Sequence, residues 1–93
     1  MTKANLRRSL LALLADDERL YNQLCEAGLV PREDTQLEKE HLETARVVST
    51  LVHELEVNWA GVEIVLHMRG QLVATRIQLA ELAELLRRQQ RDE

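Results

Sequence analysis

From Leu72 onward the leucines fall in sevens: Leu72, Leu79 and Leu86 share that interval, with Thr75, Leu82 and Gln89 between them. This alternation of threes and fours draws one apolar line along a helix. Ile77, Ala80, Ala83 and Leu85 widen the line. A helix of this kind cannot bury its own surface, and residues 1–70 are too few to cover all of it. The pattern therefore predicts association with a second copy, with Leu72, Leu79, Leu82 and Leu86 as the candidate dimer interface; the alternative is a helix folded back onto its own domain.

The rest of the chain uses the same helical vocabulary. Leucine supplies 18 of 93 residues and alanine nine, against three Gly, one Pro, one Trp, one Tyr and no Phe. Hairpins and sheets need more turn residues than this, and a doubly wound enzyme fold needs several βαβ units of roughly 30 residues each. The expected class is all-α: a small helical domain over residues 1–69 and a C-terminal dimerisation helix over residues 70–93. No apolar run approaches the ~20 residues of a membrane span. The short run from Leu10 to Ala15 leads into Asp16-Asp17-Glu18, unlike a signal-peptide cleavage site. A single cysteine, Cys25, cannot form an internal disulfide, which points to a reducing, cytoplasmic setting.

The net charge of −4 is unevenly placed. Residues 1–15 carry Lys3, Arg7 and Arg8 and no acid. Residues 16–63 carry twelve acids against four basic residues, and residues 64–93 carry four acids against five arginines. An acidic centre between weakly basic ends repels phosphate backbones and suits a basic protein partner. Most of these carboxylates, taken singly, do no more than solvate helix faces.

Helix boundaries can be read from caps. Asn5 can cap a first helix bearing Leu6, Leu10, Leu13 and Leu14 on one face. Asp16 or Asp17 can cap a second, whose stripe is Leu20, Leu24 and Ala27 and whose stop is Gly28. Pro31 keeps residues 29–34 out of helix. Thr35-Gln36-Leu37-Glu38 has the form of a capping box. It opens a third helix carrying Leu37, Leu42, Ala45, Val48, Val52 and Leu55 on one face and ending near Glu56 or Val57. Asn58 can cap a fourth, from Trp59 onward, that either kinks at Gly70 or runs through it.

Motifs for chemistry are sparse. His41, His53 and His67 lack metal-ligand spacing. Cys25 has no sequence neighbour that would activate it. No phosphate loop or nucleophile elbow is present, so neither an enzyme nor a cofactor is expected. The first two helices could form a helix-turn-helix, but the second offers Arg19, Asn22 and Gln23 among Asp16, Asp17, Glu18 and Glu26, a poor balance for reading DNA.

The stretch His53-Glu54-Leu55, Asn58-Trp59, Gly61-Val62 resembles a segment of the chaperone-modulator (CbpM-type) proteins, relatives of the MerR-type regulators. Gly28-Leu29-Val30-Pro31-Arg32-Glu33 looks like the segment after the second helix in that family, and the Leu/Arg-rich tail looks like its C-terminal helix. The resemblance covers roughly residues 18–90. It implies a small MerR-like helical domain with a long C-terminal helix. It also implies a non-enzymatic adaptor that binds the J-domain of a DnaJ-like co-chaperone and inhibits it. The alternative it carries is a MerR-like helix-turn-helix transcription regulator.

Two departures weigh against that alternative. Only Asp34 and Thr35 stand where the family carries its wing, so the wing is reduced or absent. Ala15-Asp16-Asp17 also replaces the usual Gly-containing turn between the first helices. J-domains present a basic helix, and charge alone nominates Asp16, Asp17, Glu18, Glu26, Glu33 and Asp34 as the partner-binding residues.

Overall fold

The computed structural model describes residues 2–92, and among these it is all-α, with no strand. Its order is α1 (Lys3–Leu13), α2 (Glu18–Glu26), a 3-10 turn (Asp34–Gln36), α3 (Lys39–Ser49), a π-helical turn (Thr50–Glu54) and α4 (Trp59–Asp92). Two compact units divide between Asn58 and Trp59. The sequence placed its division at 69/70. The difference arises because α4 runs through Gly70 unbroken.

In the first unit α1 packs against α3. The core is a set of aliphatic side chains: Leu6, Leu10 and Leu14, then Leu20 and Leu24, then Val30, Leu37, Ala45 and Val48. Leu13 is only half-buried, and Ala27 faces solvent. No polar or charged residue is buried among the described residues.

Caps explain the boundaries, and two of them differ from expectation. Thr2 caps α1, its Oγ1 accepting the Asn5 amide at 3.2 Å, so Asn5 lies inside the helix. Asp17 caps α2 as expected, Oδ1 accepting the Leu20 amide at 3.1 Å. Gly28, at φ +75°, ends α2 in a Schellman arrangement: the Leu29 amide reaches the Leu24 carbonyl and the Gly28 amide reaches that of Cys25. The expected capping box at Thr35 does not form. The 3-10 turn takes up Asp34–Gln36, Leu37 then inserts fully buried in extended conformation, and only after it can the helix begin. α3 starts at Lys39, with the Glu38 amide donated to His41 Nδ1 at 2.9 Å.

Beyond Ser49 the helix widens into the π turn, closed by the Leu55 amide on the Thr50 carbonyl at 3.1 Å. The wider turn rotates Leu55 off the buried face, where it is 63% exposed instead of continuing the α3 stripe. Glu56 follows at φ +56°.

The second unit is α4, 34 residues and roughly 50 Å of continuous helix. Gly70 is tolerated because a long helix absorbs its ~1 kcal/mol propensity deficit. A Cβ there would meet nothing within 4 Å.

Candidate functional site

The turn between α1 and α2 is built from strained residues. Ala15 and Asp16 both adopt φ +56°, and the Asp16 amide reaches back to the Leu11 carbonyl at 2.9 Å. Left-handed backbone at a non-Gly residue costs about 1 kcal/mol or more. The turn sets Asp16, Asp17 and Glu18 side by side at the N-terminal end of α2, where carboxylates also suit the helix dipole.

Asp17 has two structural tasks. While Oδ1 caps the helix, Oδ2 lies 3.0 Å from His53 Nε2 on the π turn, and His53 Nδ1 lies 3.1 Å from Ser49 Oγ. A carboxylate only accepts, so Nε2 carries a proton. In the neutral ring Nδ1 then accepts from the Ser49 hydroxyl. The His53 bond and then the Leu20 amide hold the Asp17 carboxyl below its ordinary range, against a smaller opposing effect of burial. Serine, histidine and aspartate thus form a chain, and its work is to tie the end of α3 to the start of α2.

A second hub lies at the other end of α2. Arg7 Nε donates to Asp34 Oδ1 at 2.8 Å, and Nη2 donates to the carbonyls of Pro31 (3.3 Å) and Arg32 (2.5 Å). Its guanidinium sits 5.3 Å from the centroid of the Tyr21 ring. One side chain of α1 thereby clamps the loop after α2. Arg32 Nη1 in turn donates to Asn22 Oδ1 at 3.3 Å.

The six acidic residues chosen from charge are spread along α2 and the loop after it. Asp16, Asp17 and Glu18 lie at one end of α2 and Glu26 at the other, the helical rise from Glu18 to Glu26 being about 12 Å. Glu33 and Asp34 follow in the loop. Asp17 is engaged by His53 and Asp34 by Arg7. Asp16, Glu18, Glu26 and Glu33 are exposed and make no ion pair among the described residues. Neither hub was visible in the sequence. The pairs span 27 and 36 positions, and no local pattern marks such separations.

On α4 the four seam leucines stand open: Leu72 is 51% exposed, Leu79 60%, Leu82 53% and Leu86 52%. Because the helix is continuous through Gly70, the alternation of threes and fours extends back through Met68, 60% exposed, to Val65. Gly70 falls on the opposite side of the helix from this seam. Flanking positions Gln71 and Gln78 are uncharged, so nothing on that flank opposes a second helix by like-charge repulsion.

No group of three or more His, Cys, Asp or Glu side chains among the described residues is placed to hold a metal ion. No helix among them is long and apolar enough to cross a membrane. Comparison with protein-family models, with curated proteins and with solved structures returns no match.

Proposed function

We propose that this chain is a non-enzymatic, cytoplasmic adaptor that forms a homodimer through α4 and binds the J-domain of a DnaJ-like co-chaperone, inhibiting it. The observation that carries the reading is the seam of α4, an apolar line from Met68 to Leu86 in which each large side chain stays at least half exposed. A surface of that length and regularity serves association. The choice of partner rests on the resemblance of residues 53–62 and 28–33 to the chaperone modulators. It also rests on carboxylates exposed beside a charge-poor core. Asp16 and Glu18 sit together at the start of α2 with no cation paired to them among the described residues, and they suit the basic helix of a J-domain.

The test is binding of the full chain to purified J-domains by calorimetry or pull-down at low and raised salt. Asp16→Lys with Glu18→Lys should abolish a salt-sensitive interaction without disturbing the cap, which belongs to Asp17. Absence of J-domain binding at low salt contradicts the proposal. Tight, sequence-specific DNA binding in a gel shift would instead favour the alternative of a helix-turn-helix regulator, for which the short α1–α2 turn is the structural basis.

A further inference from the structure

A cleft of about 450 Å³ opens in the first unit between the C-terminal end of α2, the loop after it and the start of α3. Its size falls in the range of small-molecule sites. Val30 and Pro31 supply apolar wall, and Cys25, Arg32, Gln36 and His41 supply the polar groups. In a chain with sixteen acids, no carboxylate is among the described residues that line it.

Three of the lining side chains, Arg32, Gln36 and His41, can donate hydrogen bonds. His41 Nδ1 is occupied as acceptor of the Glu38 amide, so the proton of the neutral ring lies on Nε2. Arg32 is steadied by the bond from Nη1 to Asn22 and carries further N–H groups. Gln36 contributes an amide NH₂. Cys25 is a free thiol whose pKa burial pushes up, against the smaller opposing effects of Arg32 and Arg7. It therefore stays protonated at neutral pH and does not add a thiolate charge.

We propose that this cleft binds a small free oxyanion, a phosphate or a carboxylate, between Arg32 and His41. Charge-assisted bonds from the guanidinium, the imidazole N–H and the Gln36 amide provide the recognition. The site is independent of the J-domain reading. It uses none of Asp16, Glu18 or the α4 seam.

The experiment is an amide NMR titration of the full chain at neutral pH with inorganic phosphate, and in parallel with citrate, each against chloride at matched ionic strength. The expected result is saturable shifts confined to the neighbourhood of Cys25, Gly28, Arg32, Gln36 and His41 with at least one of the two anions, which identifies the class. Arg32→Gln should weaken binding by about tenfold or more. Gln36→Glu, at an exposed position that leaves the core intact, should abolish it by placing a carboxylate in the cleft. Shifts that fail to saturate with both anions, that match chloride, or that centre on Lys3, Arg7 and Arg8 would overturn the proposal. So would unchanged affinity in both variants.

Discussion

Arg7→Ala tests how the first unit is held together. The wild-type Arg7 side chain is only 16% exposed. It makes two bonds to carbonyls of the loop, one ion pair and one cation–π contact. The ion pair deserves a discount because Asp34 is 50% exposed, which leaves about 0.5–1 kcal/mol. The cation–π contact adds about 0.5–1 kcal/mol. The two charge-assisted carbonyl bonds contribute about 1.5 kcal/mol between them, since the carbonyls regain water once the loop lifts. The expected loss is thus about 3 kcal/mol, a large fraction of what a unit this small can hold. Urea unfolding read from near-ultraviolet signals of Tyr21 is the suitable assay, because this tyrosine lies in the first unit under the guanidinium. Arg7→Lys should recover part of the ion pair but not the fork to both carbonyls, and so fall between. A loss below about 1 kcal/mol for Arg7→Ala would refute the clamp.

Three further outcomes follow from local geometry. The Asp17 carboxyl is held below its ordinary value near 3.8, so the unfolded chain binds the proton more readily; the stabilisation is complete above that value and is lost as pH falls through the lower native one. Asp17→Asn should therefore flatten the acid limb of a pH–stability curve, and an unchanged limb would contradict the His53 tie. Gly70→Ala should raise the helical melting temperature, gaining about 1 kcal/mol because the added Cβ meets open space; circular dichroism during heating checks it. Gly28→Ala should lower stability by about 1 kcal/mol despite equally open space, because φ +75° strains any Cβ, and Ala15→Gly should act in the opposite direction. Denaturation of each variant alone and combined measures both.

What the sequence disclosed was what local periodicity and local caps encode. Leu20 and Leu24 are in the core, Asp17 is the α2 cap, Gly28 the stop, and the C-terminal leucines lie along one helix. Thr35 misled because a capping box is a local signal, whereas the start of α3 is set by where Leu37 must be buried. Leu55 misled because a 3.6-residue period was extended across a π turn that no residue type announces. The acidic surface was legible as charge and illegible as geometry. Asp17 and Asp34 have structural partners distant in sequence, and only the fold separates them from Asp16, Glu18, Glu26 and Glu33.

The claim that α4 exists to associate is the one most directly measured, by sedimentation equilibrium of the full chain at micromolar concentration. The expected mass is twice the 10.7 kDa of one chain. With Leu79→Glu and Leu86→Glu, four half-exposed leucines per dimer lose about 1 kcal/mol each on association. The glutamates add a desolvation penalty. Dissociation should then rise a thousandfold or more, roughly the factor for 4 kcal/mol, and the variant should sediment at the monomer mass with its helix content retained. A wild-type monomer, or a variant whose mass is unchanged, would contradict it.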